Sequence, residues 1–167
     1  MLHLTRLEAD ERGLSASFAS EPPVTIESVR RLQTVVAQVE QVELGLKHHF
    51  SDGIYTRECF IPAGVVVVGK LHRHDHPVML MKGTATIVAV NKDGSNGERT
   101  TISAPAVWTS KAGVKRAVMA HDDCWFVTCH ATHETDLDAI EDFVIEPEPG
   151  LPLGAAFDRL ENGEKAA

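Results

Sequence analysis

Three histidines at a spacing of two, His72, His74 and His76, are the residues of this 167-residue chain whose types and spacing most directly suggest chemistry. Side chains alternate across an extended strand, so residues at i, i+2 and i+4 project to one face. Imidazole suits zinc, copper, iron and nickel, and three such donors make a metal site with positions left open. The plainer reading is a solvated loop whose histidines happen to alternate. The flanks favour the metal reading: a Pro62-Ala63-Gly64 turn, the run Val65–Val68, and Gly83 beyond. His130 is the better placed of the remaining histidines to complete the shell, although a core histidine is an equal reading of it. His121, followed by two aspartates, reads as a solvated turn residue, and His48, His49 and His133 as structural or exposed.

A second group is cationic. Lys70 lies two residues before His72 on the same face, and Arg57, Lys115 and Arg116 fall on strands expected to border the same cavity. Each alone reads as a surface charge or rim salt bridge, but together they suggest a pocket for an anionic ligand. Tyr55 shares the face of Arg57. Glu58 and Tyr55 are the nearest candidates for a general acid or base, and neither is assigned a catalytic role. No Ser-His-Asp or Cys-His constellation and no phosphate loop stands out.

The elements that must position these residues follow from periodicity. Thr25 can cap a helix over residues 26–38, where Ile26, Val29, Leu32, Val35, Val36 and Val39 form one apolar stripe. Near residue 42 the period changes from 3.6 to 2. A strand over 42–47 ends at His48 and His49, and 54–61 is the next, with Tyr55, Arg57 and Cys59 on one face. Four β-branched residues at 65–68 read as a strand buried on both faces, leading into the histidines and a return over 77–82. Further strands are expected over 84–90, 98–103, 104–110, 114–120 and 124–130, separated by turns at Gly83, 91–97, 111–113 and 121–123. Short strands at this spacing imply an antiparallel sandwich or barrel. Thr135 can cap a short helix over 136–142, with an edge strand over 143–145. The tail holds one helical turn at 155–160 and ends in polar residues of disordered composition.

The expected organisation is an arm and helix over 1–41, a barrel over 42–145 and a tail over 146–167. The formal net charge of −8 argues against binding a nucleic-acid backbone, and no apolar run approaches the ~20 residues that span a bilayer. No secretory leader is visible at residues 1–12. Cys59, Cys124 and Cys129 form an odd set without CxxC spacing and read as thiols of a reducing compartment. A cytoplasmic protein is expected. Open sheet edges call for cover, and a homodimer is expected on that ground.

With these residues in view, the chain resembles the cupin superfamily over roughly residues 42–131. The resemblance implies a mainly β fold, an antiparallel double-stranded β-helix or jelly roll, here with an N-terminal helix and a short C-terminal one. In the first block of that family two histidines separated by one residue precede a glutamate, which a glycine follows seven residues later. Here Gly83 matches the glycine, His76 stands at the glutamate, and His72 and His74 supply the His-x-His element. In the second block Arg116 stands where the family has its last ligating histidine. A set without the carboxylate favours zinc, copper or nickel over iron. The metal expected is a divalent transition ion, with Zn, Ni, Fe, Mn and Cu not distinguished. The wider pattern is similar to uncharacterised cupin-like proteins of tailed phages and their hosts. Two functions follow: a metal-binding cupin, with or without catalysis, that holds a small anionic molecule near Arg57, Lys70, Arg116 and Tyr55, or a non-catalytic module that sequesters a small ligand or nucleotide. The third reading is a structural protein with incidental histidines.

Overall fold

The four valines of β4 (Val65–Val68) are buried on both faces, each 4% exposed or less. A strand this apolar needs a cover on each side. Val65 and Val67 belong to the interior of a β-sandwich, and Val66 and Val68 pack beneath the helix α1 (Ile26–Val36). The computed structural model describes residues 3–6 and 23–148. The expectations for residues 149–167 lie outside them.

The helix forms where its stripe predicts. Thr25 and Ser28 cap each other, each backbone N–H donating to the other's hydroxyl at 3.1 Å, which satisfies donors that the first turn leaves free. Ile26, Val29 and Val36 are buried against the outer sheet face, each contributing about 1.5–3 kcal/mol if burial is complete. The helix stops at Val36, two residues short of the expected 38, where the Gln41 side chain donates to the Val36 carbonyl at 2.8 Å. Val35 turns outward and Gln33 inward, so the buried stripe is narrower than the apolar pattern.

Beyond β1 (His3–Arg6) and α1 come β2 (Gly45–Ser51), β3 (Ile54–Ile61), β4, β5 (His76–Lys82), β6 (Thr84–Asn91), β7 (Glu98–Ser103), β8 (Ala106–Ser110), β9 (Val114–Ala120) and β10 (Cys124–Ala131), then α2 (Leu137–Val144). They form two five-stranded antiparallel sheets, ordered β1-β4-β9-β6-β7 and β2-β3-β10-β5-β8. Setting aside the outer β1 and β2, strands β3 to β10 cross between the sheets in jelly-roll order, two interlocked Greek keys. β1 pairs with β4 and covers that edge from within the chain. No helix among the described residues is long and apolar enough to cross a membrane.

Three expectations change. β2 starts and ends later than 42–47, so His48 and His49 lie inside it. Residues 143–145 form no edge strand: α2, capped by Asp136 rather than Thr135, runs to Val144, and Ile145 alone makes a bridge, to His72. The strand carrying the valines ends at Val68 and does not continue through the histidines. Residues 69–75 form a loop, fastened to the β8–β9 turn by Asp75, which accepts from the Ala112 N–H at 2.8 Å and from Lys111 at 2.7 Å.

Candidate metal centre and anion pocket

Between the two sheets, under α2, lies a cavity of about 180 Å³. Strand register stacks its wall in rows. The row nearest α2 holds His76 on β5, opposite Ser110, and His130 on β10, opposite Tyr55. The next row runs Trp108, Val78, Thr128, Arg57, His48 across β8, β5, β10, β3 and β2. The third runs Ala106, Leu80, Phe126, Cys59, Leu46, of which Phe126, Cys59 and Leu46 line the cavity. Successive rows are two residues apart along each strand, about 7 Å.

His72, His76 and His130 come together at the α2 end, their ligand nitrogens all within 4.8 Å of one another. Ring centroids lie 4.3 Å apart for His72 and His76, 4.5 Å for His76 and His130, and 5.4 Å for His72 and His130. His72 is not on a strand. Its backbone is clamped instead, its carbonyl accepting from the Gly113 N–H at 2.9 Å and its backbone bridging Ile145. The Nδ1 of His76 lies 3.1 Å from the His74 carbonyl. An Nδ1–H donated there leaves Nε2 as the free lone pair and fixes the ring, as carbonyl partners do for metal-bound histidines.

The electrostatics keep these imidazoles neutral. Burial holds the His72 pKa well below the ordinary value, helped by His76, Arg57, His130 and Arg116. Burial also lowers His76, against the His74 carbonyl that raises it, and pushes His130 down to about 3. Three neutral nitrogen donors with an orienting hydrogen bond fit a divalent transition ion, and leave room for further ligands.

His74 stands apart from this group. It is exposed, and its ring lies against Phe143 with centroids 4.9 Å apart. The loop at 69–75 breaks the strand alternation that would have aligned it with His72 and His76. His130 supplies the third nitrogen from β10.

The cations divide by parity. Arg57 and Arg116 face the cavity. Arg57 Nε is buried without a hydrogen-bond partner, and Arg116 donates to its neighbour Val114 carbonyl at 3.3 Å. Burial lowers the Arg116 pKa, though a guanidinium stays protonated at any physiological pH. Lys70 also lines the cavity, but it pairs with Glu141 of α2. Lys115, adjacent in sequence to Arg116, must face the other way. It lies fully buried on the outer side, 2.6 Å from Glu148. Glu58 is on the outer face, with His49 at 2.7 Å and the Trp125 indole at 3.0 Å, and so leaves the cavity without a base from that position.

Tyr55 lines the cavity with its ring stacked on His130 at 6.1 Å, and its hydroxyl lies 2.6 Å from His48 Nδ1. His48, Thr128 and the α2 residues Leu137, Ile140 and Val144 are wall residues that the sequence reading did not select. Parity carried the signal for two of them: His48 follows Leu44 and Leu46, and Thr128 lies between Phe126 and His130. His121 sits outside the cavity, its Nε2 2.7 Å from Thr86 Oγ1.

No family model matches the sequence, and no curated protein matches it significantly. Solved structures do match. An acetylacetone dioxygenase from Acinetobacter johnsonii is 16% identical, with 53% of this chain and 59% of that one covered, at a TM-score of 0.40. A cupin-2 domain protein from Shewanella frigidimarina is 14% identical, with 60% and 92% covered and a TM-score of 0.41. A cupin superfamily protein from Desulfitobacterium hafniense is 11% identical, with 67% and 92% covered and a TM-score of 0.44. The strand order is that of a jelly roll, and the histidines converge inside it. The match spans less than two thirds of the dioxygenase. The chemistry of this barrel rests on its own residues. Within it, His72, His76 and Arg116 all line the cavity, Arg116 from β9.

Proposed function

We propose that this barrel binds a divalent transition metal through His72, His76 and His130, and holds a small anionic molecule beside it. One observation carries the reading: three neutral imidazoles, those of His76 and His130 buried and that of His72 partly so, converge next to the guanidiniums of Arg57 and Arg116, neither of which is in a salt bridge with a carboxylate among the described residues. A buried cation without a partner is costly, so an anionic ligand is the expected occupant of that space. When bound, the metal would act as a Lewis acid toward an oxygen of the ligand. The chain's own part is to orient: Arg57 and Arg116 fix the anion, while Leu137, Ile140 and Val144 of α2 close the cavity against water. Tyr55, hydrogen-bonded to His48, and Lys70, paired with Glu141, are proton-carrying pairs of the wall that stand apart from the three histidines.

The cavity volume of about 180 Å³ favours a small molecule over a nucleotide, since drug-sized ligands already need about 300 Å³ or more. The test is a titration of chelator-treated protein with Zn²⁺, Ni²⁺ and Co²⁺ by calorimetry, with and without His130→Ala. Saturation near one ion per chain that the variant loses supports the proposal. Equal binding by the variant refutes it.

A further inference from the structure

Resting on the anionic-ligand reading above, the layered wall says what kind of anion fits. The guanidiniums of Arg57 and Arg116 lower the pKa of both His72 and His76, so their charges stand close to the imidazole cluster. Arg57 Nε is an orphan donor, and so is its cross-strand neighbour Thr128, whose buried Oγ1 has no partner. Both orphans sit in the middle row. Beneath them the wall turns apolar: Leu46, Cys59 and Phe126 on one sheet face Val67 and Val118 on the other. No charged side chain belongs to that floor among the described wall residues.

We infer that the ligand is a small amphipathic monocarboxylate. Its carboxylate lies between Arg57 and Arg116 and takes the Thr128 hydroxyl as a further donor. Its aliphatic end points to the floor, away from the histidines. A planar carboxylate meets a guanidinium in two parallel hydrogen bonds, which supplies the acceptors that Arg57 lacks. A second anionic group would have to enter the apolar row without a counter-charge, which excludes dicarboxylates as the preferred class. Inorganic phosphate satisfies the arginines but leaves the floor unfilled, forgoing the apolar burial that makes a concave apolar site bind. Size sets the length of the chain. A cavity of about 180 Å³ lies below the range that drug-sized ligands fill, so the chain is short.

The probe is 3-methylbutanoate, compared with 3-methylbutan-1-ol, succinate and inorganic phosphate by calorimetry on chelator-treated protein. Because no metal is present, the result is independent of the metal reading: acid binding without any metal affinity would refute that reading and leave this one standing. The expected order places 3-methylbutanoate tightest, with the alcohol about tenfold weaker or more, as loss of charge-assisted hydrogen bonds implies. Arg57→Met and Thr128→Val should each weaken the acid, Arg57→Met by about tenfold or more. Val67→Phe, which fills the floor, should exclude 3-methylbutanoate and spare acetate. Thermal melts establish that each variant is folded. Should Arg57→Met fail to fold, the isosteric Thr128→Val and the floor variant carry the comparison. The inference is overturned if succinate or phosphate binds more tightly than 3-methylbutanoate, if the alcohol matches the acid, or if folded variants bind like wild type.

Discussion

Replacing His130 by Gln should flatten the acid side of the stability curve of the metal-free protein. In the folded chain burial pushes the His130 pKa down to about 3, with help from His76 and Arg57, whereas an unfolded histidine titrates near 6.5. Above about pH 6.5 the imidazole is neutral in both states and makes no pH-dependent contribution. Below it the unfolded chain takes up a proton that the folded chain refuses, so stability falls with pH, and goes on falling toward pH 3. Each pH unit is worth about 1.4 kcal/mol per proton, so His130 alone should remove about 2 kcal/mol between pH 8 and pH 5. His72 and His76 act in the same direction, which makes the wild-type fall larger still. The assay is urea unfolding in chelator, followed by the fluorescence of Trp108 and Trp125, at pH 8, 6.5 and 5. His130→Gln should lose about 2 kcal/mol less than wild type over that range. Curves that run parallel within about 0.5 kcal/mol, the usual error of additivity, would show that His130 is not held neutral by burial, and the argument for a ready-made nitrogen donor would fail with it.

Other perturbations have equally definite outcomes. Gly83 has φ of +88°, and a Cβ there would stand 2.5 Å from the Asp123 carbonyl oxygen and 2.8 Å from Cys124 Sγ; Gly83→Ala should lower stability by about 1–3 kcal/mol or more in thermal or urea unfolding. Leu80 is fully buried in the barrel core, and Leu80→Ala should cost about 2–5 kcal/mol by the same measurement. Arg57→Met removes an orphan buried donor and should stabilise the ligand-free protein by about 1 kcal/mol while weakening anion binding; a loss of stability together with intact binding would contradict the assignment of Arg57 to the ligand.

Strand periodicity made much of the fold legible. β3 spans residues 54–61 as its alternation indicates, because a Gly53 turn and a Pro62 bound it. The helix was legible because Thr25 and a 3.6-residue stripe mark its start. Of the three histidines that the sequence spacing selects, the structure brings His72 and His76 together and leaves His74 apart. A spacing of two selects His72, His74 and His76 only if the chain stays extended, and the chain bends at Gly69 into a loop that Asp75 ties to the next turn. His72 is then held by contacts with Gly113 and Ile145, both far away in sequence, and no local pattern announces them. His130 entered as the equal of a core histidine because its strand's place beside β5 depends on jelly-roll topology. Lys115 and Arg116 show the limit in reverse: adjacent strand residues cannot both face one cavity, and which one does so depended on where α1 docks.

Metal content across an alanine series tests the central claim most directly, because two different triads are in competition for one ion. His72→Ala, His76→Ala, His130→Ala and His74→Ala would be purified beside wild type, dialysed without chelator and measured by elemental analysis. Convergence of three nitrogens within 4.8 Å predicts about one divalent transition ion per wild-type chain and its loss in the first three variants. His74→Ala should keep the ion, since that ring is exposed and lies against Phe143. A metal-free wild type, or an ion that survives loss of His130 and departs with His74, would contradict the account.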